Sequence, residues 1–285
     1  MRWLLKIAAF ASIAITLGIL VSLLVPAAEF FAEVPVLEFL TDTRWAPQFA
    51  DASFGVLPLV TATAWTTFIA LAVAVPFGLG AAVYLAEYAP PRARRILKPI
   101  LEILAGVPTV VFGFFALSFV APTVLRGWLS IEVGTFSILA AGLVMGVMII
   151  PTVASLSEDA MSAVPRDMRQ GSAALGANRM QTTLRVIFPA ALSGIVAAVV
   201  LGISRAIGET MIVAIAAGAR PQMVTDPTME GATMTGFIAR MALGDSRVGS
   251  LQYNTLFAVG LLLFVLTLVV NAISIRLVRR FRQEY

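Results

Sequence analysis

Residues 190–217 read AALSGIVAAVVLGISRAIGETMIVAIAA, an apolar stretch interrupted by Arg205 and Glu209. A helix needs about 20 apolar residues to cross the hydrocarbon core of a bilayer, and this stretch is long enough. A charge at that depth is costly, so it faces a bundle interior or a water-filled path. On one continuous helix, side chains four residues apart share a face, with Cβ atoms roughly 6 Å apart. An arginine held there is a contact for an anion in transit. The competing reading is a buried ion pair that only fixes helix packing.

The rest of the chain carries the same stamp. Of its 285 residues, 59% are hydrophobic and only 13% charged, unlike a soluble domain of this length. Spanning helices satisfy their own backbone hydrogen bonds, so the expected fold class is all-α, a polytopic membrane helical bundle. Six spans are expected: Leu5–Val25, Leu57–Leu85, Ile100–Ala121, Thr135–Val153, Ala190–Ala217 and Thr255–Ile275. The first is read as a retained helix and not a secretory signal. Its uncharged run from Ile7 to Ala28 outlasts a typical signal core, and no small-residue cleavage site ends it.

The absences exclude several chemistries. The chain has no cysteine and no histidine. Disulfides, thiol nucleophiles, Cys/His zinc sites and histidine-centred triads are therefore ruled out. No clustered acidic motif builds a carboxylate metal site, so no metal and no cofactor is expected. The lysines are Lys6 and Lys98, followed by Ile7 and Pro99, so there is no Gly-Lys-Ser/Thr loop to cradle nucleotide phosphates. The net charge of +4 sits in short loops, where membrane topology explains it without nucleic acid.

Those loops predict an orientation. One side of the bundle receives Arg2, Lys6, Arg92, Arg94, Arg95, Lys98, Arg166, Arg169, Arg179, Arg185, Arg276, Arg279, Arg280 and Arg282; the other receives Arg44, Arg126, Arg220, Arg240 and Arg247. The richer side is cytoplasmic by the positive-inside rule, which puts both termini inside. Trp45, Trp65 and Trp128 fall near expected membrane interfaces, where amphipathic rings settle.

Two loops stand out by length. The outer one, about Gly218–Asn254, either folds over the bundle or meets an external partner. The inner one, Ala154–Pro189, is too polar to span and too long for a plain turn. Within it Ser157–Val164 and Arg169–Leu175 have helical character, separated by Pro165. Gly194, Ala197, Ala198, Gly202, Ala206 and Gly208 on the fifth span are read as packing positions that let helices approach closely. Pro76, Pro108 and Pro151 lie in or beside spans and are read as kinks.

The inner loop also carries Gln170-Gly171-Ser172-Ala173-Ala174-Leu175-Gly176 and closes on Val186-Ile187-Phe188-Pro189. This resembles the EAA loop of ABC importer permeases: Glu-Ala-Ala, three residues, Gly, nine residues, Ile-x-Leu-Pro. Gly176 and Pro189 stand at the family spacing. Val186 and Phe188 replace Ile and Leu, and Gln170, Gly171 and Ser172 replace Glu-Ala-Ala. A glycine there lets the chain turn sharply between two short helices and present a knob to a partner. Three further stretches resemble the phosphate-specific permeases of the PstC type. They are Arg205–Met211 (RAIGETM), Glu102–Gly113 (EILAGVPTVVFG), and Trp45-Ala46-Pro47 with Phe54–Pro58 (FGVLP).

That resemblance implies a type I, MetI-like permease architecture. Residues 1–56 would form an N-terminal transmembrane helix and external loop, and residues 57–285 the permease domain with docking loop 154–189. It implies a permease subunit for phosphate import in the cell inner membrane, not itself an enzyme. ATP hydrolysis would belong to a cytoplasmic ABC ATPase dimer. The other implied partners are a second, PstA-like permease, an external phosphate-binding protein and membrane lipid. Substrate-path candidates are Arg205, Glu209, Thr210 and Ser204, with Glu209 orienting Arg205. Docking candidates are Gln170, Gly171, Ser172, Gly176 and Pro189. Alternatives are a permease for sulfate, molybdate or tungstate, an ATP-independent transporter of organic anions and, more distantly, a membrane enzyme.

Overall fold

The computed structural model describes residues 1–244 and 246–281, with backbone only for Arg2, Leu277, Arg279, Arg280 and Phe281. Arg282, counted above in the C-terminal basic cluster, lies outside the described residues, as do the side chains of Arg2, Arg279 and Arg280. The described residues are helical in the main and form no strand; a lone antiparallel bridge joins Trp45 to Phe54.

Among the described residues five helices are long and apolar enough to cross a membrane, or six if the bent pair is counted as one span. Helix α1 (Arg2–Glu33) leads to a short α2 (Val36–Thr41). The second span, α3, runs Leu57–Tyr88, its last turn π-helical. Helix α4 (Pro91–Ala105) is followed by α5 (Thr109–Trp128) and α6 (Ile138–Ser162). Next come α7 (Arg166–Ala174), α8 (Arg179–Ala190) and α9 (Leu192–Gly208). The chain closes with α10 (Met211–Ala216), α11 (Met234–Leu243) and α12 (Leu251–Phe281).

The α3–α6 pair is the centre of the bundle. Its seam is built from glycines that leave no room for a side chain. A Cβ on Gly142 would stand 2.8 Å from Ile69 Cβ, and one on Gly146 would stand 2.7 Å from Val73 Cβ and 2.9 Å from the Ala70 carbonyl. Gly78 meets Val153 in the same way. Around this seam Ala62, Ala70, Ala74, Met145, Met148 and Ile149 are buried. Helix α9 packs on the same pair, with Gly202 against Ile149 and Val153. The small residues of the fifth span are packing positions at Gly194 and Gly202, while Gly208 faces open space.

Two expected spans are broken in the structure, and a third runs on to Ser162, so residues 154–162 of the expected inner loop belong to α6. Ile100–Ala121 is not one helix. Its first residues belong to α4, which ends at Gly106, and α5 begins after Pro108. Proline lacks an N–H and drives the residue before it out of the helical region. Helix α4 buries none of its residues and carries Arg92, Arg94, Arg95, Lys98 and Glu102, so it suits a surface and not a bilayer core. Ala190–Ala217 is also broken. It bends by 71° between α8 and α9, and α9 stops at Gly208.

The outer loop folds over the bundle. Thr233 caps α11 by accepting from Gly236 N–H, and the Met234 N–H donates to Thr63 Oγ1 on α3 at 3.0 Å. Phe237 and Met241 then share a core with Phe30, Phe39, Trp45, Phe54, Leu59 and Val259. The N-terminal segment thus packs into the same body through edge-to-face rings, Trp45 on Phe237 at 5.0 Å among them. Helix α1 lies along α12. Its residues from Trp3 to Gly18 are otherwise uncovered, a surface for lipid or a second subunit.

The glycine seam makes a measurable demand. Gly146→Ala should overpack it at a cost of about 1–3 kcal/mol. The thermal midpoint of the detergent-solubilised protein should fall. Gly80→Ala, at a site with nothing within 4 Å, should leave it unchanged.

Candidate functional site

The four path candidates do not converge. Arg205 lies in the last turn of α9, half-buried, and its Nη1 donates to Thr152 Oγ1 of α6 at 2.8 Å. Ser204 turns the other way and donates to Asn271 Oδ1 of α12 at 3.0 Å. Thr210 contributes only a long 3.3 Å bond to the Gly208 carbonyl, the local backbone bonding usual for hydroxyls in spans.

Glu209 corrects the one-face reading. It is extended (φ −67°, ψ 128°), so the helix ends before it. Its carboxylate turns forward and accepts from the N–H groups of Met211 at 3.0 Å and Ile212 at 3.2 Å. It therefore caps α10 and makes no ion pair with Arg205 among the described residues. Its carbonyl accepts from Thr235 Oγ1 of α11 at 2.7 Å, which seals the break. The signal was present: Gly-Glu-Thr before an apolar run reads as a helix stop followed by a start. Thr152 and Asn271, which hold Arg205 and Ser204, escaped the sequence reading because isolated hydroxyls and amides in spans carry no spacing signature.

The inner loop has the predicted mechanics. Pro165 opens α7, and Gly176 ends the turn after it with φ +83° and nothing within 4 Å of a Cβ. The Ala177 N–H bonds the Ser172 carbonyl at 3.2 Å across this left-handed turn. Asn178 and Gln181 then cap α8 reciprocally, each side chain accepting from the other's backbone N–H. Gln170 and Gly171 are exposed, Ser172 bonds Thr182 Oγ1 at 2.9 Å, and Pro189 lies in the last turn of α8. Leu175 stands 90% exposed at the tip, beside a cleft of about 610 Å³ edged by Met168, Gly176 and Arg185.

A charged cluster ties this loop to the bundle. Glu158 of α6 is fully buried and accepts from Arg94, from Lys98 Nζ at 2.7 Å and from Ser162 Oγ at 2.8 Å. Lys98 also pairs with Asp159 at 2.8 Å, and hydrogen bonds to Asp159 and Glu158 hold its ammonium above the usual lysine range. Arg169 of α7 donates to the Met161 carbonyl at 2.7 Å and pairs with Glu87 of α3 at 3.1 Å. The Arg179 guanidinium lies over the Tyr88 ring at 5.2 Å. So α4, α7 and α8 are all fastened to the ends of α3 and α6. Among the described residues no group of His, Cys, Asp and Glu is placed to hold a metal.

The fold is a spanning bundle with an exposed helical turn at one end, and comparison with known proteins shows its family. The family model described as binding-protein-dependent transport system inner membrane component matches residues 74–283, and the chain belongs to that family of multi-pass ABC importer permeases. It is 38% identical to a Bacillus subtilis protein called "Probable ABC transporter permease protein YqgH", covering 93% of this chain and 83% of the relative. It is 35% identical to the phosphate transport system permease protein PstC 1 of Mycobacterium tuberculosis, over 86% of this chain and 82% of that one. Among solved structures, a bacterial alginate ABC transporter superposes with a TM-score of 0.69 at 15% identity, covering 99% of this chain and 96% of that one. The MetNI methionine ABC transporter gives 0.57 at 22% identity, over 80% and 95%. Within the family the chain stands with the PstC-type permeases.

The cluster gives a graded expectation. Glu158→Gln leaves two cations facing an amide. Breaking a fully buried pair costs about 3–5 kcal/mol. The loss here should be smaller, because Arg94 and Lys98 keep some solvent access. Asp159→Asn removes an exposed partner and should cost at most about 1 kcal/mol. Thermal unfolding of the two variants should rank in that order.

Proposed function

We propose that this chain is one transmembrane subunit of an ATP-driven phosphate importer. The observation that carries the reading is Arg205: a cation in the last turn of a spanning helix, bonded to the Thr152 hydroxyl and to no carboxylate among the described residues. A guanidinium whose charge is not cancelled offers its remaining donors to an oxyanion in a geometry that suits phosphate. The names of the PstC relatives support phosphate as that oxyanion. Ser204, though next to Arg205 in the chain, faces the other way and bonds Asn271, so it stands apart from the Arg205 donors. Glu209 and Thr210 serve the helix break and not the path.

The chain itself hydrolyses no nucleotide in this reading. A cytoplasmic ABC ATPase dimer seats on the 154–189 loop, with Gly171, Ser172, Leu175 and Gly176 at the contact. A second, PstA-like permease completes the bundle, and an external phosphate-binding protein delivers the anion. Both termini face the cytoplasm, as the lysine and arginine asymmetry requires. Residues 1–56 act as an added helix and outer loop on a permease domain of 57–285. ATP binding pulls on the loop, and the Arg169 and Arg179 contacts pass that motion to α3 and α6.

The reading is tested by uptake of radiolabelled phosphate in cells lacking this chain and complemented with it. Uptake should return, and sulfate and molybdate should not compete at equal concentration. Arg205→Gln should lower uptake at least tenfold while the subunit inserts and assembles normally. Uptake that follows sulfate or molybdate, or normal uptake by the variant, overturns the assignment.

Docking makes a separate demand. Gly176→Val places a β-branched residue at φ +83°, a conformation open essentially to glycine. The variant should reach the membrane but no longer co-purify with its ATPase. Normal co-purification and ATP hydrolysis would reduce the loop to a connector.

A further inference from the structure

Arg205 is held by one neutral atom. Its Nη1 donates to Thr152 Oγ1 of α6 at 2.8 Å, and it makes no other hydrogen bond and no ion pair among the described residues. A guanidinium carries five N–H donors, so this bond engages one of them. The remaining nitrogens of Arg205 are not sealed from solvent, in contrast to Arg169 Nε and Arg240 Nη2, which are buried without a partner.

Thr152 stands apart from most hydroxyls of the spans. Thr63 donates to the Leu59 carbonyl at 2.8 Å, Thr66 to Ala62 at 3.0 Å, Ser118 to Phe114 at 2.7 Å and Thr267 to Leu263 at 3.0 Å. Each closes on its own helix, as hydroxyls in helices commonly do. Thr152 makes no such bond among the described residues and instead serves a side chain of another helix. Packing sets the approach. A Cβ on Gly202, three residues before Arg205, would stand 3.3 Å from Ile149 Cγ2 and from Val153 Cγ2, and Val153 follows Thr152 in the chain. Helices α6 and α9 are therefore close at this level, and the arginine meets the hydroxyl across their contact.

The chemistry of the holder decides what the arginine can do. A carboxylate would hold the guanidinium and cancel its charge. An alkyl side chain would keep the charge but let the long side chain swing. A hydroxyl fixes the direction and adds no charge. Ordering a side chain before its ligand arrives removes that cost from the binding step. The oxyanion then meets charge-assisted donors that are already aimed.

We propose that Thr152 is a positioning residue for transport: its hydroxyl orients Arg205 with the charge uncancelled, so that the free donors of the guanidinium meet the anion. This role rests on the reading of Arg205 as the path cation; it does not rest on which oxyanion passes.

Initial rates of radiolabelled phosphate uptake are measured in cells lacking this chain and complemented with each variant. Thr152→Ser keeps the hydroxyl and should transport like the unmutated chain. Thr152→Val keeps the shape and loses the hydroxyl; its rate should fall about tenfold, the scale of one hydrogen bond to a charged group. Thr152→Asp sets a carboxylate beside Arg205, so the subunit should assemble yet transport no better than the Val variant. Adding Thr152→Val to Arg205→Gln should cause no further loss, because the hydroxyl acts through the arginine. The thermal midpoint and the assembled amount of the Val variant should match the unmutated chain. If the Val variant does not assemble, the Asp variant, whose ion pair replaces the hydrogen bond, carries the test. Full uptake by the Val or the Asp variant, or a further loss in the double variant, overturns the role. Full uptake by Thr152→Val beside an inactive Arg205→Gln rejects Thr152 alone and leaves the importer reading standing. Normal uptake by Arg205→Gln overturns both. If the cells take up sulfate or molybdate instead, the same ranking measured with that anion upholds Thr152 and rejects the phosphate reading.

Discussion

A helix broken at membrane depth must find partners for the backbone groups it frees, and much of this structure answers that constraint. Unsatisfied backbone groups cost several kcal/mol each in hydrocarbon, where no water replaces the lost bonds. The break after Gly208 is closed from both sides. The Glu209 carboxylate takes the first N–H groups of α10, and Thr235 takes the Glu209 carbonyl. Thr63 on α3 then takes the N–H of Met234 at the start of α11. Three side chains thereby fix the α9–α10 corner, α11 and the central helix against one another.

The constraint also explains how one arginine stays free in a membrane protein. Were Glu209 helical, it would share a face with Arg205 and cancel it. Ending the helix one residue earlier commits the carboxylate to backbone and leaves the cation with a single hydroxyl partner. A carboxylate at a helix N-terminus is also favoured by the dipole of that helix. The same residue pair that reads as an ion pair in sequence thus separates into a structural anion and an available cation.

What could be read in advance follows physical periodicity. Long apolar runs such as 57–85 and 255–275 announced α3 and α12, and the first runs on as helix through Pro76. Gly176 announced a left-handed turn, because few residues other than glycine tolerate φ +83°. The misreadings fall where apolar composition continues across a break. Gly106 and Pro108 divide a run that hydropathy alone would span, and the charged stripe of α4 was the warning. Gly208-Glu209-Thr210 divides another. The partners Thr152, Asn271, Thr235 and Glu158 lie far from their contacts in the chain, and such pairings exist only once the helices are packed. The docking motif was legible as spacing; its linkage to the bundle was not.

That linkage decides how force could travel. The docking turn is small and exposed, and by itself it would flex. Arg169 and Arg179 fasten it to Glu87 and Tyr88 at the end of α3, and Glu158 fastens α4 to α6 through two cations. Buried ion pairs often add little net stability, because desolvation offsets attraction. Their value here is geometric. Each charge here has its partners on fixed helices, so sliding would break several directional contacts at once. The contacts attach the knob to α3 and α6, the two helices joined by the glycine seam. A seam without room for a side chain does not yield locally, so displacement of the knob must move the pair together. Helix α9, packed on that pair and holding Arg205 through Thr152, is then carried with it. The exposed turn at Gly176 and Arg205 are thus joined through packed helices, and under the proposed function that is the mechanical condition for coupling them.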